Sequence, residues 1–152
     1  MAEVRTVVTF QSEAFNTSET KSYYINPYRF GDDVARWISS EFQQRNIEVG
    51  EEVGEEDFGW YLTFQLNGIE YSFVLGWREG DETEPDVWLG WLERDAGFVA
   101  SLFGGRKKNI ASEAAVAIHE ILSQTDKVHD VRWHLRQDFD ANNEENWTHQ
   151  PL

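Results

Sequence analysis

The sequence contains no cysteine. This absence excludes a disulfide framework, a thiolate zinc site and a cysteine nucleophile, and it gives no reason to expect an oxidising compartment. The first residues, Met1 to Arg5, lack a basic region followed by an apolar stretch, and no apolar run approaches the length of a membrane span. We therefore expect a cytoplasmic protein with no membrane partner.

Basic residues are scarce, because 13 Lys and Arg stand against 28 Asp and Glu and leave a formal net charge of −15. No Lys or Arg occurs between Arg45 and Arg78, whereas seven acidic residues do, and a second acidic run over residues 79–86 follows directly. Such a surface repels nucleic acid and attracts basic proteins or metal cations, so we predict no nucleic-acid partner. The alternative is that the acidic loops only keep an aromatic-rich domain in solution.

The motifs of phosphate-binding loops, dinucleotide-binding loops and serine-hydrolase elbows are all missing. None of the four histidines has the spacing of a metal site, and each is predicted to be solvated or to cap an element: His119, His129, His134 and His149. Asp138 and Asp140 are followed by neither the glycine nor the final glutamate of a calcium loop. We therefore predict no cofactor, no metal site and no catalytic residue.

The only basic cluster is Arg106-Lys107-Lys108, which follows Gly104-Gly105 and precedes a predicted helix. Backbone N–H groups at the start of a helix can hold a phosphate, which is one interpretation of this loop. The other is that the loop ends one helical segment and offers a counter-charge to the acidic loops, within one chain or across a homodimer.

The clearest local signal is Asn67-Gly68, which lies between two runs of alternating apolar residues. Both central residues of a type I′ turn need positive φ, which Asn tolerates and Gly adopts freely. The two-residue turn fixes the register and predicts a β-hairpin over residues 57–77. Five cross-strand pairs are predicted on one apolar face: Leu66 with Ile69, Phe64 with Tyr71, Leu62 with Phe73, Trp60 with Leu75, and Phe58 with Trp77.

The rest of the pattern predicts a single α+β domain over residues 1–137 and a polar, frayed tail over residues 138–152. Apolar residues at helical spacing predict helices over residues 32–46 and 109–124, and one or two helical turns over residues 96–103. Alternation predicts further strands over residues 4–10, 87–92 and 131–135. This order implies an antiparallel sheet with two main helices packed on one face.

The segment Glu56-Asp57-Phe58-Gly59-Trp60, with the alternating strand and Asn-Gly turn that follow it, resembles a motif of small uncharacterised bacterial cytoplasmic proteins. The resemblance covers the hairpin and the helix before it, and it implies a bacterial origin rather than an activity. Small acidic bacterial proteins of this size include immunity proteins and inhibitors that mask basic toxins. This analogy implies a role in masking a basic partner.

Two hypotheses for function follow. The first is an acidic protein-interaction domain, in its sharpest form an inhibitor or immunity protein, whose acidic loops steer a basic partner and whose exposed aromatics anchor it. Its predicted partner-binding residues are Glu51, Glu52, Glu55, Glu56, Asp57, Tyr61, Glu82, Glu84 and Trp88. The alternative is a small-molecule-binding or hydrolytic domain that uses residues 55–57 beside Trp60 and Trp77. Both a monomer and a homodimer fit the sequence.

Overall fold

The computed structural model describes residues 3–94 and 110–152. Its strands are β1 (Val7–Gln11), β2 (Gly54–Glu56), β3 (Gly59–Leu66), β4 (Ile69–Arg78), β5 (Val87–Arg94), β6 (His129–His134) and β7 (Trp147–Thr148). They form one sheet in the order β2-β3-β4-β5-β1-β6-β7, in which every neighbouring pair is antiparallel. The predicted α+β class is confirmed.

The β3–β4 hairpin has the predicted register from the Asn67-Gly68 turn as far as Trp60 and Leu75. Asn67 and Gly68 both have positive φ, as a type I′ turn requires. The prediction for Phe58 was wrong, because Asp57 and Phe58 form the turn between β2 and β3. The Phe58 ring contacts Trp91 with 5.3 Å between ring centroids, and it lies on the face of the sheet opposite the buried side chains of the hairpin.

Two long helices cover one face of the sheet, the first over strand β3 of the hairpin and the second against β6. Helix α1 (Asp32–Gln44) buries Val34, Ile38 and Phe42, and the Phe42 ring stacks on Phe64 with 4.5 Å between centroids. Helix α2 (Ser112–Ser123) buries the predicted stripe, Ala114, Ile118, Ile121 and Leu122, in the same core. The burial of these aromatic and aliphatic side chains is the main favourable term in folding.

Regular elements continue into the C-terminal segment, for which the sequence predicts a polar, frayed tail. The segment contains a short helix, α3 (Arg136–Asp140), and strand β7, which pairs with β6. Arg5 donates its backbone N–H to the carbonyl of Pro151 at 2.9 Å, and the Pro151 side chain is buried. The Phe139 ring of α3 contacts the His134 ring, with 5.4 Å between the ring centroids. Helix α3 therefore packs on the face of the sheet opposite α1 and α2.

Two sequence predictions lie outside the described residues: the helical turns over residues 96–103 and the basic loop over residues 104–108. The predicted start of the second helix at residue 109 lies there too, and α2 begins at Ser112. Among the described residues, no helix has the length and apolar character needed to cross a bilayer.

One hydroxyl in the core is expected to contribute nothing to stability. The hydroxyl of Tyr71 is buried without a hydrogen-bond partner in the described part of the chain, whereas that of Tyr24 donates to Asp32 at 2.6 Å. We expect Tyr71→Phe to leave the free energy of unfolding unchanged or raise it by up to about 1 kcal/mol, and Tyr24→Phe to lower it by about 1–2 kcal/mol. Urea denaturation of both variants measures this. An equal loss in the two variants would contradict the account.

Candidate interaction surface

The largest exposed apolar side chains of the described residues concentrate in one loop between β1 and α1. Tyr23 is 50%, Ile25 78% and Tyr28 74% exposed. Exposed apolar groups gathered in one place mark interaction sites more often than singly scattered ones do. We refer to residues 23–28 as the anchor loop.

The anchor loop is held on the edge of the sheet by Glu55 of β2. The Glu55 carboxylate accepts the backbone N–H of Ile25 at 2.9 Å and that of Asn26 at 2.7 Å. The side-chain amide of Asn26 donates to the carbonyl of Glu56 at 3.2 Å. These bonds join segments 30 residues apart in sequence, and they keep Ile25 exposed in a fixed position. Charge-assisted hydrogen bonds of this kind are the stronger ones in proteins.

A second set of bonds fixes the loop to α1 through Asp32, which is only 3% exposed. Its carboxylate accepts hydrogen bonds from the hydroxyls of Tyr23 and Tyr24 and from the Arg36 guanidinium, the last at 2.7 Å. Burial acts to raise the pKa of Asp32, but the bonds from Tyr23, Tyr24 and Arg36 outweigh it and hold the pKa below its ordinary value. Asp32 is therefore a carboxylate at neutral pH and orders the aromatic residues around it.

Acidic side chains border the anchor loop on two sides. Glu56 and Asp57 are exposed beside Glu55, in β2 and the turn after it. Glu51 and Glu52 line a cleft of about 380 Å³ between α1 and the segment that precedes β2, and Arg36 lines the same cleft. The Arg36 guanidinium lies 5.4 Å from the Tyr23 ring centroid, so the cleft opens beside the anchor loop. The anchor loop with Glu51, Glu52, Glu55, Glu56 and Asp57 is called the interaction surface below.

The second acidic run, residues 79–86, forms the loop between β4 and β5 and lies at the same end of the sheet as the β2–β3 turn. Glu82 and Glu84 are exposed in the loop between β4 and β5, where the Asp81 carboxylate orders the chain by accepting the backbone N–H groups of Thr83 and Glu84. Two strands, β3 and β4, separate β2 from β5 in the sheet. Glu82 and Glu84 are therefore not part of the contiguous interaction surface, although their charge lies at the same end of the molecule.

Trp88 is not an exposed anchor, contrary to the prediction. It is 1% exposed, on the face of β5 covered by α1, and its ring contacts Phe15 with 6.2 Å between centroids. The sequence of β5 is apolar on both faces, so its alternation does not indicate which tryptophan is buried. Trp91 lies on the other face and is half-buried.

Tyr61 lies on the sheet face opposite α1 and is half-buried. Its ring packs against Gly54 of β2, where an added Cβ would lie 2.3 Å from the Tyr61 ring. With Phe58, Tyr61 lines a shallow cleft of about 340 Å³ on that face. Tyr61 therefore lies apart from the anchor loop. The anchor loop itself was not among the residues predicted from sequence to bind a partner. Asn26-Pro27 after two tyrosines was the available signal, because Asn-Pro favours a turn that can present aromatic side chains.

Two of the histidines predicted to be solvated or capping are instead built into the fold. His134 is 2% exposed, and its Nε2 lies 3.2 Å from the hydroxyl of Thr9. His119 is partly buried and accepts the indole N–H of Trp133 at its Nδ1, at 3.0 Å. The prediction was wrong for His134 because α3 covers that end of β6, which no local pattern indicates.

Burial lowers the pKa of His134 below its ordinary value. The guanidinium groups of Arg5, Arg132 and Arg78 act in the same direction, and Glu144 opposes them. The folded protein therefore favours the neutral imidazole, whereas the unfolded chain binds a proton near pH 6.5. The stability that depends on this group is fully present above that pH and is lost as the pH falls toward the lowered pKa.

We expect the free energy of unfolding to decrease between pH 7 and pH 5, with a slope of at most about 1.4 kcal/mol per pH unit for one proton. The His134→Gln variant should show a shallower slope. Part of the slope should remain, because burial also lowers the pKa of His119. Denaturant titrations at several pH values measure the slope for the wild type and for the variant. Identical slopes would show that the pKa of His134 does not differ between the folded and unfolded protein.

A comparison of the chain with protein-family models, with curated proteins and with solved structures yields no match in any of the three.

Proposed function

We propose that the protein is an interaction domain that binds a basic protein through the interaction surface. In its sharpest form this is an inhibitor or immunity protein of the bacterial cytoplasm. The observation that carries the proposal is the fixed exposure of Tyr23, Ile25 and Tyr28 among carboxylates. Aromatic anchors within a charged rim are the arrangement typical of protein–protein interfaces.

The order of the anchor loop also supports the proposal. Loops that become ordered only on binding lose conformational entropy at that moment, which reduces affinity. Here Glu55 and Asp32 already hold the loop in place through hydrogen bonds to its backbone and to its tyrosine hydroxyls. Glu55, predicted from sequence to contact the partner, is thus proposed to act by positioning Ile25 and Asn26.

The acidic rim supports a basic partner rather than a neutral one. Exposed carboxylates accelerate association with a cationic partner, and the effect decreases as salt screens it over about 8 Å at physiological ionic strength. The aromatic anchors act mainly on dissociation, because affinity within one interface depends mostly on the off-rate. The two parts of the surface are therefore expected to have separable kinetic effects.

Affinity capture from the source cell, with the full chain as bait, tests the proposal. The rim variant carries Glu51→Gln, Glu52→Gln, Glu56→Gln and Asp57→Asn, and the anchor variant carries Ile25→Ser and Tyr28→Ser. With the purified partner, we expect the rim variant to slow association about 10-fold at low salt. The anchor variant should weaken binding about 100-fold, mainly through faster dissociation.

The matched control removes four exposed carboxylates elsewhere on the protein: Glu3→Gln, Glu70→Gln, Glu120→Gln and Asp126→Asn. It has the same net charge as the rim variant, so an effect of total charge alone would slow association equally in both. Recovery of partners that are themselves acidic, or equal recovery by the wild type, rim variant and anchor variant, would contradict the proposal.

A further inference from the structure

A third cleft, of about 430 Å³, lies on the opposite face of the sheet from α1 and α2. Its floor is formed by β1 and β6, and its walls are the β4–β5 loop and the segment over residues 142–147. The volume is within the range of small-molecule sites. None of the residues that line this cleft belongs to the interaction surface.

The floor of this cleft contains an incompletely paired imidazole. His134 lines the cleft and is 2% exposed. Its Nε2 pairs with Thr9, but its Nδ1 has no hydrogen-bond partner in the described part of the chain. Buried polar atoms in native proteins are nearly always paired, and an unpaired one in the lining of a cleft indicates a missing bonding partner.

Two arginines hold fixed positions around the imidazole. Arg132 pairs through Nε and Nη2 with Asp130, both at 3.0 Å, and its guanidinium lies 4.2 Å from the Trp147 ring centroid. Its Nη1 has no partner among the described residues, which leaves one donor nitrogen for a ligand. Arg78 makes a bidentate pair with Glu144, both bonds at 3.0 Å, and thereby joins the two walls of the cleft.

The outer part of the same cleft is acidic. Glu84 on one wall and Glu145 on the other are exposed, and neither carboxylate forms an ion pair within the described residues. The arginine and histidine donors therefore lie toward the floor of this cleft, and the uncompensated carboxylates lie toward its opening. The floor carries no net charge, because Asp130 and Glu144 balance Arg132 and Arg78, but among the described residues it retains an unpaired arginine nitrogen and an unpaired imidazole nitrogen. Unpaired donors at the floor and uncompensated carboxylates further out complement a molecule that carries one acidic and one basic group.

The geometry points to a binding site for a small zwitterion of the α-amino acid class in this cleft. The ligand carboxylate accepts hydrogen bonds from the Arg132 guanidinium near His134, and the ligand ammonium lies between Glu84 and Glu145. Arg–carboxylate bonds are strong and directional, which makes Arg132 the principal determinant of affinity. The inference is independent of the proposed function, because the two surfaces share no residue.

Isothermal titration of the full chain with each standard amino acid in turn tests the inference. We expect at least one to bind with one-to-one stoichiometry, and its N-acetylated and decarboxylated analogues to bind at least about 10-fold more weakly, since each lacks one of the two charges. Arg132→Gln should weaken binding about 10-fold or more. Arg45→Gln, at the residue that follows α1, should leave affinity unchanged.

A second variant keeps the test decisive if Arg132→Gln does not fold. Glu84→Gln with Glu145→Gln changes exposed side chains only. It should weaken binding of the amino acid about 10-fold and leave the affinity of the N-acetylated analogue, which lacks the ammonium, unchanged. The inference is overturned if no standard amino acid binds at about 10 mM. It is equally overturned if the glutamine variant binds amino acids as the wild type does.

Discussion

Gly59→Ala is expected to lower the free energy of unfolding by about 3 kcal/mol, because no Cβ fits at the start of β3. An added Cβ would lie 2.1 Å from the carbonyl oxygen of Leu75, and the backbone φ of 154° is one that other residues rarely adopt. The contact is with backbone of the neighbouring strand β4, so no side chain can rotate to relieve it. Urea denaturation of the variant measures the loss.

Gly68→Ala is the matched control in the same hairpin. Gly68 also has positive φ, at 78°, but an added Cβ would meet no heavy atom within 4 Å. The cost is then that of the backbone conformation alone, about 1 kcal/mol. Equal losses in the two variants would show that the close approach of β3 to β4 at Gly59 is absent in solution.

Asp32→Ala is expected to lower the free energy of unfolding by about 3 kcal/mol, since it leaves the hydroxyls of two tyrosines and one guanidinium without their common acceptor. Tyr24 is the most affected, because it is 9% exposed and has little access to water. Arg36 is half-exposed and can be hydrated, which keeps the cost below that of a fully buried ion pair.

The control for this variant is Asp126→Ala, which removes an exposed carboxylate with no described partner and should change stability by less than about 0.5 kcal/mol. Asp32→Ala should also increase hydrogen exchange of the backbone amides in the anchor loop, because the loop loses its attachment to α1. A loss of stability without faster exchange in residues 23–28 would mean that Asp32 supports the core and not the anchor loop.

Local chemistry explains which parts of the fold could be predicted from the sequence. The hairpin register follows from the two residues Asn67-Gly68 and the strand period of two, both of which are independent of the rest of the chain. The buried stripes of α1 and α2 likewise follow from helical spacing. Phe58 departs from the pattern because the chain forms a second two-residue turn there, between β2 and β3.

Long-range contacts explain what the sequence could not indicate. The C-terminal segment makes its backbone hydrogen bonds with Arg5 and with strand β6, which are more than 100 residues and about 15 residues away in sequence. The burial of His134 depends on α3, and the burial of Trp88 rather than Trp91 depends on which face of β5 the helices cover. Tertiary packing sets each of these features.

The acidic half of the interaction surface could be found from sequence, because a run without bases is visible in composition alone. The aromatic half could not, since Tyr23 and Ile25 have the alternation of a short strand. Their exposure depends on Glu55, which is 30 residues further along the chain. Glu55, which the sequence predicts to contact a partner, is the residue that holds Ile25 and Asn26 in place.

Photo-crosslinking from position 28 tests the central claim most directly. A photoreactive amino acid replaces Tyr28, which is 74% exposed, or Leu152, which is 57% exposed and lies outside the interaction surface. The account predicts a crosslink to a basic protein from position 28, none from position 152, and a lower crosslinking yield at low salt when Glu51, Glu52, Glu56 and Asp57 are neutralised. Equal crosslinking from both positions, an acidic crosslinked protein, or a yield that neutralisation leaves unchanged would contradict it.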